Sequence, residues 1–589
     1  MAAGAALVLL GLIGLFTHLF YEGRIGFHLI APAPQHLGVL SVLIPVVGGL
    51  LIGGMAYWGS ERIRGHGIPE AMETILVGGS KVEPSLAVLK PISSAISIGT
   101  GGPFGAEGPI ILTGGAFGSI IAQFIHLSAT ERRTLLVAGA CAGMAAVFGT
   151  PVAATLFGVE LLVFEFRPRS MVPIALAVSM ATGLRAIMAA HSLILPAPLF
   201  PVPSQPSVSM VGLGSACLIG LGGAALAVVL TTAVYGAEDL FKKLPIHWAW
   251  WPAIGGVVIG IGGLVDPRAL GVGYGNIGDE LAGRMAMTAL LLLLVTKLVI
   301  WAVALGSGTS GGILAPLLMI GGAMGALVAP FLPGGDTTTW ALVGLGATLA
   351  GVTRSPFTAI VFSLELTHDV SALPALLAAC AVSHLISSGL LRRSILTEKV
   401  ARRGFHVVRE YASEPLEALF VREAMVTEVM TLSREQPVLE LHRRLTRDPK
   451  LRHQRLYPVL DGGVVAGVAT RSDLLEAVAD GRRDATVGEV LRQDVVVAHP
   501  DETLRSAADR MAEHWLGALP VVGREDGRLH GVLTEFNLLK ARQRQLVEER
   551  HRERIFRLPF SRLLVRRPVI AGTGRLDGDD EEVVDDKGR

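Results

Sequence analysis

Apolar residues recur in long runs from Ala3 to about Leu390, and then give way to short alternating strands and amphipathic helices. Runs at 37–58, 171–190, 208–232, 286–305 and 371–390 are long and uncharged enough to cross a bilayer as helices. The first twenty residues are equally apolar, with no basic opening and no stop before more apolar runs. They read as a first membrane helix rather than a cleaved signal. Other runs, at 86–100, 108–125 and 312–329, are short or broken by glycine and proline. Such pieces at corresponding places in two halves point to a transport site.

The correspondence is visible in the sequence. Residues 98–122 read IGTGGPFGAEGPIILTGGAFGSIIA and residues 305–329 read LGSGTSGGILAPLLMIGGAMGALVA. Aligned on Pro109 and Pro316, they share Gly99/Gly306, Gly105/Gly312, Gly114/Gly321, Gly115/Gly322 and Gly118/Gly325. A second pair comes next in the same order, 139–161 against 344–366, matching Pro151, Phe157 and Glu160 to Pro356, Phe362 and Glu365. Two ordered matches make the apolar part an internal duplication, with halves at about 1–205 and 206–405.

Composition agrees with a membrane protein. Only 17% of the 589 residues are charged, and about a third of those charges fall in the first 390 residues. Soluble domains carry about a quarter charged residues. The net charge of +1 argues against a nucleic-acid partner, and the 71 glycines, without a collagen period, fit close helix packing. Cys141, Cys217 and Cys380 have neither disulfide-framework nor zinc spacing, so no metal site is expected.

After Leu390, Leu391-Arg392-Arg393 and the stretch from Lys399 to Arg403 form a basic flank, which places the C-terminal region in the cytoplasm. Residues 406–545 read as an α/β module of two β–α–β–β–α units, about 421–478 and 486–543. The tail, 546–589, is strongly charged and is expected to be disordered.

An anion can be held at membrane mid-depth without a full positive charge when broken helices aim their N-termini, with free N–H groups and positive dipole ends, at one place. Three segments have that form: 65–70 (GHGIPE), 105–109 (GAEGP) and 312–316 (GILAP), each placing glycines and a proline at a helix start.

These three segments resemble the signatures GSGIP, G(K/R)EGP and GxFxP of the CLC family of chloride channels and chloride/proton antiporters, in family order and at family-like spacing. The resemblance covers residues 1 to about 405, and residues 406–545 resemble the tandem CBS pair that many members append. It implies a polytopic α-helical membrane protein with an inverted-repeat transport domain and a cytoplasmic α/β module. It further implies a homodimer in the lipid bilayer, one pore per subunit, gating that can respond to voltage, and a plasma membrane of the prokaryotic inner type.

By the same resemblance, Glu107 is the gating glutamate, whose carboxylate competes with chloride or a similar anion. His66, Gly67, Ile68, Gly108, Ile313, Leu314 and Leu396 surround that anion. A carboxylate at a helix start inside lipid is costly and usually functional, the alternative being a structural acid held by the helix dipole. His66 stands where the family has Ser; its imidazole either donates to the anion or turns aside. Ala106 replaces a basic residue, and Leu396 falls on the usual tyrosine. The family's internal proton glutamate aligns with Leu161, which cannot titrate. Glu160 and Glu365 are repeat-related, which favours a structural role for both. In the CBS pair, Asp473 after Thr470 matches the ribose-binding acid, and Asn537 after Thr534 stands at the second such place. An adenine nucleotide (ATP, ADP or AMP) is expected there, beside the alternative of a purely structural module; no other cofactor is required.

The sequence reading is therefore transmembrane transport of a small inorganic anion, with passive conduction slightly ahead of chloride/proton exchange because Leu161 replaces an acid. A membrane sensor acting through the CBS pair is a second class. A membrane enzyme is disfavoured, since the chain has no HExxH, no GxSxG and no plausible intramembrane acid dyad.

Overall fold

In a computed structural model, the chain is described over residues 1–543 apart from 35–36, 77–79, 126, 128, 164–165, 167, 195–196, 203–207, 403–415, 417–418, 448–453 and 483. The charged tail lies outside the described residues, as does Glu165. Among the described residues, seventeen α-helices precede the module: α1 Ala2–Thr17, α2 Leu43–Trp58, α3 Ile68–Leu76, α4 Leu86–Gly99, α5 Glu107–Phe124, α6 Ala129–Phe148, α7 Pro151–Phe157, α8 Pro168–Ala190, α9 Met210–Lys242, α10 Trp251–Val265, α11 Tyr274–Leu281, α12 Met287–Gly306, α13 Leu314–Val328, α14 Thr337–Thr353, α15 Pro356–Thr367, α16 Leu373–Leu390 and α17 Ile395–Arg402. Among the described residues, eight helical stretches are long and apolar enough to cross a membrane, including Ala2–Glu22 and Leu314–Phe331.

The duplication is realised in the packing. Helix α5 lies against α6 as α13 lies against α14, and α4 meets α5 as α12 meets α13. Glycines make these approaches possible. A methyl on Gly344 would stand 2.5 Å from the Gly321 carbonyl oxygen, and one on Gly143 would stand 2.7 Å from that of Ile110. Without an oil–water driving force between helices, such close backbone contact supplies the packing.

The repeat extends further than the proline and glycine matches. Gly271 and Gly273 precede α11 as Gly65 and Gly67 precede α3, and all four have positive φ (62°, 77°, 85° and 87°). Lys90 and Lys297, separated by the same interval as Pro109 and Pro316, are both fully buried. Lys90 Nζ donates to the carbonyls of Ile63 and Gly65, both at 2.7 Å. Lys297 Nζ donates to those of Ala269 and Gly271, at 2.9 and 3.0 Å. Each lysine thus ties down the loop that opens the short helix of its own half.

Glu160 and Glu365 form a reciprocal device between halves. Glu160, in the π-helical turn Gly158–Val163, accepts from the Thr358 N–H (2.7 Å), the Thr358 hydroxyl (2.5 Å) and the Phe357 N–H (3.3 Å) at the start of α15. Glu365 accepts from the Val152 and Ala153 N–H groups (2.9 and 2.8 Å) at the start of α7. Each carboxylate caps the helix of the other half, where helix N-termini favour negative charge.

Among the described residues, the module has two small sheets. In the first, β1 (Leu432–Ser433) pairs parallel with β2 (Leu456–Asp461), which pairs antiparallel with β3 (Val464–Thr470); the second pairs β4 (Ala518–Val522) with β5 (Leu529–Thr534). Buried Leu456, Val468, Ala518 and Val532 form one apolar cluster across the two units.

Candidate anion site and its surroundings

Three loops meet where α3, α5 and α13 begin. Gly105 and Gly312 exchange backbone hydrogen bonds in both directions, at 3.2 and 2.9 Å, as an antiparallel bridge. This pairs the two halves head to head at one point, as an inverted repeat requires. The Gly65 N–H donates to the Thr309 carbonyl (3.3 Å) and the Gly311 N–H to the Gly65 carbonyl (3.4 Å). Gly67, at φ 87°, lies so close to Gly108 that a methyl on it would stand 2.6 Å from the Gly108 carbonyl oxygen. Three helix N-termini are thereby held at one focus, which suits an anion.

The Glu107 side chain occupies that focus. It is fully buried, and its Oε1 accepts from the Ala315 N–H at 2.9 Å. Its Oε2 is buried without a hydrogen-bond partner among the described residues. A methyl on Gly312 would stand 2.8 Å from its carboxyl carbon. The carboxylate therefore sits where the sequence expects the anion, as a competitor would. Ile313 and Leu314 are buried beside it. Ala315, whose N–H makes the contact, is a residue the sequence reading missed; its place as the second residue of the GILAP helix, in the first turn where N–H groups are free, was the available signal.

His66 is buried with its backbone packed against Gly108, and its ring lies within electrostatic reach of Glu70. Glu70 accepts from the Gly67 N–H at 2.9 Å and from Lys399 Nζ at 2.5 Å. This ties the His66–Gly67 turn, and Ile68 behind it, to α17. Leu396 is fully buried near the start of α17, which packs on α3. The Tyr235 hydroxyl donates to the adjacent Ile395 carbonyl at 2.5 Å, so a tyrosine from α9 anchors this helix start. Leu161 is buried within the π-helical turn.

A cavity of about 590 Å³ opens beside Gly65, with Arg62, Arg64, Lys242, Lys399 and Arg402 in its lining against Glu61 and Glu238. Arg64 stacks on Trp248, 4.6 Å from the ring centre. The cavity is on the α17 side, the side that leads into the module, and its excess of cations suits an anion vestibule.

In the module, Thr470 and Asp473 form a reciprocal helix cap: the Thr470 N–H and hydroxyl donate to Asp473 Oδ2 at 2.8 and 2.7 Å. Asp473 Oδ1 accepts from Arg492 at 2.6 Å. Burial alone would raise the Asp473 carboxyl, but the Arg492 and Thr470 hydrogen bonds carry it below the usual carboxylate range. Thr534 and Asn537 repeat the cap, the Thr534 N–H and hydroxyl donating to Asn537 Oδ1 at 3.0 and 2.5 Å. These four residues are absent from the lining of the cavity between the units, which Thr431, Gly462, Gly463, Arg528 and His530 help to form. A nucleotide at Asp473 would compete with Arg492 for Oδ1.

Known proteins share this architecture. The family described as voltage gated chloride channel matches residues 48–388, and the CBS domain matches 421–480 and 487–544. An H(+)/Cl(-) exchange transporter ClcA of Salmonella arizonae is 29% identical over 401 residues, covering 64% of this chain and 81% of the relative. A slow cyanobacterial Cl-/H+ antiporter shares the fold at a TM-score of 0.58 and 21% identity, covering 68% of this chain and 97% of that one. A eukaryotic CLC transporter shares it at 0.53 and 19%, covering 90% and 98%. With half the chain and more matched by one family, and its fold shared with transporters of that family, the protein is a member of the voltage gated chloride channel (CLC) family carrying a tandem CBS pair.

Proposed function

We propose that the chain exchanges chloride for protons across a lipid bilayer, with Glu107 as the group that both closes the anion path and carries the proton. The observation behind this is the Glu107 carboxylate seated at the three-helix focus, one oxygen on the Ala315 N–H and the other unpartnered among the described residues. A carboxylate there displaces the anion while charged and leaves when protonated, which links the two ions. Relatives named as exchangers add weight to coupling over the passive conduction that Leu161 favours in the sequence.

In this reading, backbone N–H groups around Gly108, Ile313, Leu314 and Ala315 hold the anion once Glu107 swings away, with His66, Gly67 and Ile68 below it. Two copies form the working unit, each with its own pore, and the CBS pair lies in the cytoplasm, where an adenine nucleotide adjusts transport. Purified protein in liposomes tests the central claim. A chloride gradient, with the voltage clamped near zero, is expected to drive protons uphill in the wild type. Glu107→Gln is expected to keep anion flux and lose proton movement and pH gating. Anion flux without proton movement in the wild type would establish the passive reading, which the buried Leu161, Leu162 and Val163 support.

A further inference from the structure

Beyond Glu107, two buried polar side chains stand near one another with open hydrogen-bonding positions. Arg185, on α8, is 2% exposed, and its Nε and Nη2 are buried without partners among the described residues. Tyr274, the first residue of α11, is buried, and its hydroxyl is likewise unpartnered. The segment joining α6 to α7 brings them together. The Tyr274 ring meets Phe148 edge-on at 6.2 Å between centroids and Phe200 at 6.0 Å. The Arg185 guanidinium carbon lies 3.2 Å from where a Cβ would stand on the next residue, Gly149. Glu107 and Arg185 are the charged groups within electrostatic reach of the Tyr274 hydroxyl, so the three form a row leading away from the anion focus.

The row runs toward one membrane face. Helix α3 packs on α17, which leads to the CBS pair, and α11 is the counterpart of α3 in the inverted half. Tyr274 and Arg185 therefore lie on the side away from the module. Ala106, beside Glu107, supplies no charge there, whereas Arg185 does.

A buried guanidinium with two nitrogens lacking an acceptor is costly. Arg N–H groups only donate, and a tyrosine hydroxyl can turn its proton toward the same point. A donor set of this kind selects a small anion, not a cation. We propose that Arg185 and Tyr274 form an outer anion station, which holds the transported monovalent anion while the Glu107 carboxylate occupies the focus at Ala315. This rests on the anion-transport reading. It adds to that reading a place for the ion that Glu107 displaces, walled by Phe148, Phe200 and the Phe362 that packs on Phe148 at 5.0 Å.

The test uses the full chain. Crystals grown in bromide are expected to show an anomalous peak within hydrogen-bonding reach of the Tyr274 hydroxyl and Arg185 Nε or Nη2, and Tyr274→Phe is expected to weaken it. In proteoliposomes, Tyr274→Phe should raise the half-saturating outer chloride concentration about tenfold, as loss of one charge-assisted hydrogen bond implies, with the maximal rate retained. Arg185→Lys should fall between wild type and Arg185→Gln. Tyr274→Phe is the conservative variant and keeps the ring packing, so it carries the result where Arg185→Gln folds poorly. Ordered water alone between the two side chains in bromide crystals, or unchanged chloride dependence in Tyr274→Phe, would overturn the station. If the wild type moves no anion at all, the transport reading falls, and the bromide density still decides the station separately.

Discussion

Glu160 and Glu365 occupy equivalent positions in the two halves but different surroundings, and this sets the sizes of their substitution effects. Glu160→Ala removes the acceptor for the buried Thr358 N–H and hydroxyl and for the longer Phe357 contact. Leaving a buried donor unsatisfied costs about 1–3 kcal/mol, and loss of an N-cap about 1. The expected destabilisation is therefore about 3 kcal/mol. Glu365→Ala frees the Val152 and Ala153 N–H groups, one of them at an exposed position, where other polar partners can replace the carboxylate. About 1 kcal/mol is expected there. Glu160→Gln keeps one acceptor oxygen and should recover about half of the loss. The thermal midpoint of the purified protein in detergent, followed by monodisperse peak height on size exclusion, ranks the three. Proton movement in liposomes is measured alongside. The cap reasoning is refuted if Glu365→Ala is as damaging as Glu160→Ala. It is also refuted if Glu160→Gln keeps wild-type stability while losing proton movement, for Glu160 would then be a proton carrier.

The same contacts set further expected outcomes. Gly108→Ala should lower anion flux at least tenfold with expression retained, because its methyl would overlap the His66 carbonyl and stand 3.0 Å from the Gly312 Cα; unchanged flux would mean the three loops are not held as described. Lys90→Met and Lys297→Met should each destabilise by about 2–3 kcal/mol, since each removes two buried hydrogen bonds from the ammonium to loop carbonyls, and near-equal losses in the detergent assay would bear out the repeat. In the module, Asp473→Ala should cost about 1–2 kcal/mol. The Asp473 carboxyl is depressed in the folded state, so its contribution is fully present above the ordinary carboxylate value near 4 and is lost as pH falls through the folded value. A wild-type module whose stability relative to Asp473→Ala stays constant from pH 7 to pH 2 would contradict this.

The parts of the fold that were legible in the sequence are those in which backbone geometry dictates residue type. Proline at a helix start and glycine at a close approach are read directly, so the segments at 65, 105 and 312 were found with their order and spacing. The fourth member, at 271–273, was hidden because Gly275 stands where the first half has Pro69. What remains is a pair of positive-φ glycines, a common pattern without its punctuation. Lys90 and Lys297 went unread because each lies in an apolar run, where one charge leaves the hydropathy unchanged; aligning them on Pro109 and Pro316 would have exposed the pair. The surroundings of Glu160 are set by the fold, since it sits in a π-helical turn with wider spacing than an α-helix. Arg185 and Tyr274 lie far apart in sequence, and only the fold joins them at Phe148 and Gly149.

The departures from family residue types share a physical logic. At the focus, the group that donates to the Glu107 carboxylate is the Ala315 peptide N–H at a helix start, a donor that any side chain can carry. Leu314, Ala315 and Ala106 can therefore vary while the electrostatics persist, provided the glycines allow the loops to approach. What cannot vary freely is charge compensation around a buried carboxylate. Lys297 lies within electrostatic reach of both Glu107 and the buried Glu280, and Arg185 lies beyond Tyr274. Basic side chains therefore face the Glu107 row from α12 and α8 instead of from the α5 loop that holds Ala106. On the module side the polar groups gather instead around α3, where Glu70, His66, Lys90 and Lys399 interact, while Leu161, Leu162 and Val163 present an apolar wall. The chain thus gathers ionisable groups around α3 and along α8 and α12, while the Glu160 carboxylate beside Leu161 is engaged at the start of α15. Whether protons accompany anions through this protein is therefore a question about the α3 cluster and the cavity beside Gly65, and measurements that probe only the Leu161 position would miss it.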